Sequence, residues 1–295
     1  MGWLVHQRWR TRLTRIVLRI TYTWVGMAFL GSAIVLLWDI IVLVLGGWLG
    51  VTSGTVVTMV VACVGYALMN AHRLTVRQHR FRAPVLDDPV RVVQLTDIHL
   101  GSRTAAFLRR IVARTNRLRP DYVLITGDLA DLFALPDSIY DPLADIDAHV
   151  YFVIGNHERY IGADRVCELL EARGVTVLRN RAVHLDGAPI QLIGIDDAER
   201  QDQVARVLPE IPLDADAFKL LMYHRPDGLE AAHAHDIDLM LCGHTHNGQI
   251  MPFNFAVRRV FGRITGRHEL GSTVLYVSPG TGTWGPVMRL SLIHI

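Results

Sequence analysis

Two long apolar stretches restrict what the amino-terminal quarter of this chain can become. Residues 20–38 form a run of 19 without a charge, and residues 48–69 form a second run of 22. A bilayer crossing needs roughly 20 apolar residues at about 1.5 Å of helix rise each. Both runs are apolar all round rather than along one stripe, which suits lipid better than the surface of a globular domain. Between them, Gly46 and Gly47 break the pattern. A cleaved secretory signal would have a shorter apolar region and a small-residue cleavage site, which does not fit paired runs. A helical hairpin buried in a soluble domain would share the apolarity but not the flanking arginines. Residues 1–72 therefore read as a membrane module with two transmembrane helices.

The arginines also set an orientation. Residues 1–82 carry nine arginines against one acid, Asp39. Five precede the first run, four follow the second run, and residues 46–50 carry none. The positive-inside rule then places both ends in the cytoplasm, as expected of a multi-pass protein of the inner membrane whose remaining domain faces the cytoplasm. Asp39 falls at the outer end of the first run, where it reaches the interface. Trp3, Trp9, Trp24, Trp38 and Trp48 include several at the expected membrane boundaries. The formal net charge of +2 hides this asymmetry, because acids outnumber bases in the rest of the chain. An acidic body argues against an extended nucleic-acid surface, which needs a basic stripe. The bilayer is the expected partner, and no nucleic acid is. Cys63, Cys167 and Cys242 are too scattered for a disulfide framework and read as buried thiols.

Residues 73–89 are basic and then turn-forming, with Pro84 and Pro89, and read as a linker or edge strand. From residue 90 the pattern changes. Short apolar strands are expected at 90–95, 122–126, 150–154, 176–178, 183–185, 191–195, 219–223, 238–242 and 273–277. Helices are expected near 104–118, 138–147 and 163–173. Strands alternating with helices indicate βαβ units around a largely buried sheet. Strands clustered without helices at 176–195 and near the carboxyl terminus point to an antiparallel part. The fold class is therefore α/β, a two-sheet β core flanked by helices spanning 90–295, preceded by the transmembrane hairpin.

Polar residues follow the ends of five of these strands: Thr96-Asp97-Ile98-His99, Gly127-Asp128, Gly155-Asn156-His157-Glu158, His224, and Gly243-His244-Thr245-His246. Carboxyl ends of neighbouring strands converge on one crevice. Aspartate can bridge two cations, and neutral imidazole suits zinc, iron and nickel. In an extended segment, Asp97 with His99, and His244 with His246, would project to one side. The glycines at 127, 155 and 243 would allow tight turns. Seven candidate ligands (Asp97, His99, Asp128, Asn156, His224, His244 and His246) exceed what one tetrahedral zinc takes and suit two divalent ions.

In these blocks, over residues 90–282, the sequence resembles the calcineurin-like metallophosphoesterases. The resemblance implies that Asp97, His99 and His246 hold one ion, that Asn156, His224 and His244 hold a second, and that Asp128 bridges them. It assigns His157 to the catalytic step, near the leaving group and without binding metal. The ions would be manganese, iron, zinc or nickel, and the chemistry metal-assisted hydrolysis of a phosphate ester or pyrophosphate. Membrane-associated members of the family include pyrophosphohydrolases of UDP-2,3-diacylglucosamine, so a lipid-linked phosphate substrate is one expectation. A phosphodiesterase for soluble nucleotides, anchored only for localisation, is a second. A membrane scaffold or sensor with a relic metal site is a third, opposed by the intact motif residues.

Other residues carry weaker expectations. Asp131 reads as a helix cap or a neighbour of the site, Asp196 and Asp197 as a solvated turn or a lining of the site, and 253–270 as a basic loop or a cover over an anionic substrate. Residues 280–286 resemble the family's closing segment, and residues 291–295 read as a truncated or artefactual end.

Overall fold

A computed structural model of the chain describes residues 12–45, 53–133, 135–290 and 293–294. The first apolar run lies in helix α1, Arg12–Val44, and residues 53–69 of the second lie in α2, Ser53–Asn70. Both helices are long and apolar enough to cross a membrane. At 33 residues, α1 extends beyond the run at both ends and carries the exposed Asp39 within it. Its length, about 50 Å at 1.5 Å per residue, exceeds a hydrocarbon core of roughly 30 Å. The connection at 46–50 and Trp3, Trp9 and Trp48 lie outside the described residues.

Part of α1, including residues of the apolar run, docks on the rest of the chain. The Arg19 guanidinium donates to the carbonyl of Gly101 at 2.9 and 2.8 Å. Leu30 and Ala67 pack with Ile250 and Met288. The Arg289 N–H donates to the Ala67 carbonyl at 2.9 Å, and Asn70 Nδ2 donates to the Arg289 carbonyl at 3.2 Å. Thus the hairpin is attached by side chains as well as by chain continuity.

Strand β1, Leu74–Thr75, pairs in parallel with residues Ile293–His294 at the other end of the chain. Phe81, Ala83 and Leu86 pack against the inter-sheet core, so much of the stretch read as a linker lies along the domain. Next come β2 (Val92–Leu95), α3 (Ala105–Arg117), β3 (Tyr122–Thr126), β4 (His149–Val153), α4 (Asn156–Ile161), α5 (Ala163–Glu171) and β5 (Val175–Val177). They are followed by β6 (Arg181–His184), β7 (Ile190–Gly194), α6 (Gln203–Val207), β8 (Phe218–Met222), α7 (Leu229–Ala234), β9 (Leu239–Cys242), α8 (Phe253–Phe261), β10 (Gly266–Leu270) and β11 (Thr273–Val277). Ile293–His294 is β12.

Strands β2-β3-β4-β5 form one wholly parallel sheet, and β10-β11-β9-β8-β7-β6 form the second. In the second sheet the edge pairs β6/β7 and β10/β11 are antiparallel, while the four central strands are parallel. The expected antiparallel part is therefore confined to the two edges. Alternation along each strand builds the layers. On β3, Val123 and Ile125 face the core under α3 and α5, whereas Tyr122 and Leu124 face the other sheet. On β8, Leu220 and Met222 meet them across the gap, and Leu221 packs outward with Leu229 of α7. The order is helices, sheet, sheet, helices.

Differences from the sequence reading have local causes. The segment expected to be helical near 138–147 is a 3-10 helix, Asp137–Asp145, with Pro142 inside it. Proline supplies no N–H and disfavours α-helical continuation. The stretch 253–270, read as a loop, holds α8 and β10. Strand β10 alternates between exposed and half-buried positions, so it carries little apolar signal and is held by its register with β11.

Candidate metal centre

Every polar block follows a strand into the same end of the two sheets. Asp97 and His99 follow β2, Asp128 follows β3, and Asn156 and His157 open α4 after β4. From the second sheet come His224 after β8 and His244 and His246 after β9. The edge is stitched by Gln94 Nε2, which donates to the Cys242 carbonyl at 3.0 Å, and by the Gly243 N–H, which donates to the His224 carbonyl at 2.9 Å.

The backbone here is bent rather than extended. Asp97, His99, Asp128, His244 and His246 all have positive φ, between 49° and 72°. Non-glycine residues adopt this region uncommonly, and such strain collects at functional sites. Hydrogen bonds over-determine it: Asp97 N–H donates to the Gly127 carbonyl and His99 N–H to the Asp128 carbonyl, both at 3.1 Å. The segments are therefore not extended: Asp97 and His99 still reach one ligand group, but the expectation of a shared side fails for His244 and His246. His244 and His246 turn to different neighbours. Gly127 has φ of 86°, as a tight turn requires, whereas Gly155 and Gly243 matter for space. A Cβ at Gly155 would collide with the Asp128 carboxylate, and one at Gly243 with Thr96 and Asp97.

The side chains form three overlapping groups whose ligand atoms lie within 4.8 Å of one another: Asp97 with His99 and His246, Asp128 with His224 and His244, and His99 with Asp128 and His157. In the first, His246 Nε2 is 3.4 Å from Asp97 Oδ1 and 2.9 Å from His99 Nε2. In the second, His224 Nε2 is 3.1 Å from Asp128 Oδ2 and 3.0 Å from His244 Nδ1. Asp128 joins the groups, with Oδ2 3.9 Å from His99 Nε2 and Oδ1 accepting the His157 N–H at 3.0 Å. Asn156 is buried beside them, and its Oδ1 has no hydrogen-bond partner.

Burial shapes the charges. It pushes Asp97 up to about 6, against the pull of His224. Burial holds His99, His244 and His246 well below the usual imidazole range, which leaves neutral rings with a lone pair to offer. His224 differs. Burial opposes its charge, but Asp128 and Asp97 outweigh burial and raise it to about 10. Burial likewise opposes ionisation of Asp128, and the adjoining His224 and His157 carry it well below the carboxylate range. His224 Nδ1–H donates to the Thr126 carbonyl at 2.9 Å, which aims Nε2 at Asp128. Carboxylates, neutral imidazoles and an unpartnered amide oxygen together make a donor set that fits divalent cations.

Some contributors escape a reading by motif. Glu158 is fully buried, and its carboxylate accepts the N–H groups of Asp128 (2.9 Å), Ala130 (3.1 Å) and Gly155 (2.8 Å), tying two site loops together. Its place inside Gly-Asn-His-Glu was the only signal. Asp131 caps no helix. It accepts from the N–H of Ser102 and from its hydroxyl, and its Oδ2 lies 3.7 Å from His99 Nδ1. Asp196 and Asp197 are buried rather than solvated, because Arg179 and Arg225 each approach them to 2.6 Å. Arg289 is fully buried, and its guanidinium donates to the carbonyls of Gly282, His246 and Pro279. A cleft of about 670 Å³, lined by Ile16, Arg19, Arg109 and Asp141 among others, lies against α1 and contains none of the candidate ligands.

Two stacked sheets with carboxylates and imidazoles gathered at one carboxyl edge define a metal-binding α/β domain. Residues 90–248 match the model of the calcineurin-like phosphoesterases, and the chain belongs to that family. It is 35% identical over 217 residues to a metallophosphoesterase of Campylobacter jejuni, covering 70% of this chain and 58% of that protein. Identity is 30% over 212 residues with a metallophosphoesterase of Aquifex aeolicus, covering 68% and 80%. With the transmembrane protein with metallophosphoesterase domain of Danio rerio it is 33% over 226 residues, covering 68% and 51%. The chain thus spans less than two thirds of the Campylobacter and Danio proteins. Similar solved structures include the phosphopantetheinyl hydrolase of Mycobacterium tuberculosis, with TM-score 0.42, 13% identity and coverage of 66% and 90%. A dimetal phosphatase of Danio rerio has TM-score 0.38, 15% identity and coverage of 65% and 88%.

Proposed function

We propose that this chain is a dinuclear metal-dependent phosphoesterase acting on ester or pyrophosphate bonds of a membrane-associated or amphiphilic phosphate compound. The observation that carries the reading is the linkage of three ligand groups through His99 and Asp128. In this reading Asp97, His99 and His246 hold one ion, Asn156, His224 and His244 hold the other, and Asp128 bridges them. When bound, two divalent ions polarise the phosphoryl group and lower the pKa of the attacking water.

The chain's own groups do the rest. Thr96 Oγ1 donates to Asp97 Oδ2 at 2.8 Å, and the His244 N–H donates to Oδ1 of the same carboxylate at 3.0 Å, so Asp97 is held in one rotamer. His157 is half-buried, its ring 4.8 Å from that of His99 and 6.2 Å from that of Trp284. From there a ring nitrogen holds the proton that the leaving oxygen needs, and as imidazolium it stabilises charge on the phosphoryl oxygens. Arginines on both sides of the helical hairpin, and none at 46–50, support a cytoplasm-facing site held beside the inner membrane. The acidic body supports small phosphate compounds over nucleic acid as partners.

The test is hydrolysis of bis-p-nitrophenyl phosphate by detergent-purified protein with added manganese. Turnover that is lost on chelation and regained with metal is expected. Silence under manganese, iron, zinc and nickel alike would overturn the catalytic reading. A panel of monoesters, diesters, nucleotide–lipid pyrophosphates and phospholipids then separates amphiphilic substrates from soluble nucleotides.

A further inference from the structure

Helix α8 repeats apolar residues at helical spacing, with Phe253, Ala256, Val257 and Val260 on one face, yet none of its residues is buried. Arg258 and Arg259 lie on other faces and are exposed. On the apolar side, large side chains stand open: Val260 is 67% exposed and Trp284 51%, with Met251 and Phe253 beside them, whereas Phe255 stands on the side of the arginines. An amphipathic helix with an uncovered apolar face and adjacent arginines is suited to the boundary of a bilayer.

The position of this patch says what covers it. At one end, the Phe253 ring meets the Phe29 ring edge-on at 6.4 Å, and Phe29 lies within the span-length apolar segment Ile16–Val44 of α1. Ile250 packs with Leu30 and with Ala67, three residues before α2 ends at Asn70. A bilayer surrounding α1 and α2 therefore reaches α8. At the other end the patch borders the metal centre. Phe261 stands 5.0 Å from His244, and Trp284 stands 6.2 Å from His157. Trp284 is tethered to this region by its carbonyl and N–H, bonded to the Gln249 side chain at 3.0 and 2.9 Å.

We propose that Met251, Phe253, Val260 and Trp284 form a rim that inserts into the headgroup layer of the membrane beside the metal centre, with Arg258 and Arg259 flanking it toward anionic phospholipid. The proposal rests on the hairpin crossing the bilayer. It deepens the functional reading, because a phosphate group at the lipid surface then enters the site sideways from the leaflet without leaving it.

The test uses the full chain in nanodiscs of phosphatidylglycerol and phosphatidylcholine. Cys63→Ala removes the half-buried thiol, and Val260→Cys introduces a site for an environment-sensitive fluorophore. Asp216→Cys serves as the control, since Asp216 is exposed and precedes β8, at the opposite end of that strand from His224. Lipids with a nitroxide high on the acyl chain should quench the label at 260 severalfold more than the label at 216, and aqueous iodide should do the reverse. Ala256→Cys, exposed on the same face, repeats the measurement should the first variant fold poorly. Equal iodide quenching at both positions would place the rim in water and overturn the proposal. A label shielded from both quenchers would mean that protein, such as a second copy of the chain, covers the patch, and would overturn it too. Neither metal nor substrate enters the measurement, so its failure is distinct from a loss of phosphodiester turnover.

Discussion

The carboxylate of Asp128 stands 3.1 Å from Nε2 of His224, so the ends of β3 and β8, strands of different sheets, meet at one charged contact. Removing the charge of Asp128 while keeping its shape should unlink the two ligand groups. Asp128→Asn is expected to bind fewer metal equivalents than the parent protein. Elemental analysis of the purified variant measures this, and full occupancy would remove Asp128 from its bridging role.

His157 sits against the same carboxylate through its backbone N–H, with its half-buried ring beside those of His99, Tyr160 and Trp284. His157→Ala should retain metal and lose about 10²–10⁴-fold in turnover, the usual worth of a positioned proton donor. Elemental analysis beside kcat decides this. Loss of metal in the variant would make His157 a ligand, which its grouping with His99 and Asp128 also permits.

Glu158 receives three backbone N–H groups in a fully buried place. Truncating it leaves donors without acceptors, each costing about 1–3 kcal/mol less any relief by water. Glu158→Ala should therefore lower stability by about 3 kcal/mol or more, and chemical denaturation of the two proteins reads the difference. An unchanged midpoint would show that the loops hold without it.

Gly26 of α1 faces Pro286 and Met288. A Cβ there would lie 2.8 Å from Pro286 Cβ and 3.1 Å from Met288 Sδ. Overpacking of this kind costs about 1–3 kcal/mol. Gly26→Leu should displace the segment carrying Trp284 and reduce turnover while membrane insertion persists. Carbonate-resistant membrane association and bis-p-nitrophenyl phosphate hydrolysis, measured together, check the pair of outcomes. Unaltered turnover would mean that the docking contact does not reach the site.

Burial raises the Cys167 thiol to about 11 and the Cys242 thiol well above its ordinary value. A raised thiol pKa leaves the neutral form in place at pH 8, and the thiolate is the reactive species. Both cysteines should resist iodoacetamide in the native protein at pH 8 and react on unfolding, as peptide mass spectrometry would show. Fast alkylation of either in the native state would place it at the surface.

Much of this protein is determined by short-range pattern. Apolar runs of span length, strands at 122–126 and 273–277 that match to the residue, and polar blocks at strand ends can all be read along the chain, because alternation and chain breaks act over a few residues. Only the tertiary structure decided the rest. His244 and His246, two residues apart, join different groups because positive φ turns each toward partners far away in sequence, His224 and Asp97. Asp196 and Asp197 look solvated until Arg179 and Arg225 arrive, and Glu158 is inconspicuous until three N–H groups close on it. A charge or a buried acid is stabilised by what surrounds it in space, and residues distant along the chain supply those surroundings. The exposed face of α8 depends on the same logic. Its spacing is written locally, but only the tertiary structure brings it against α1.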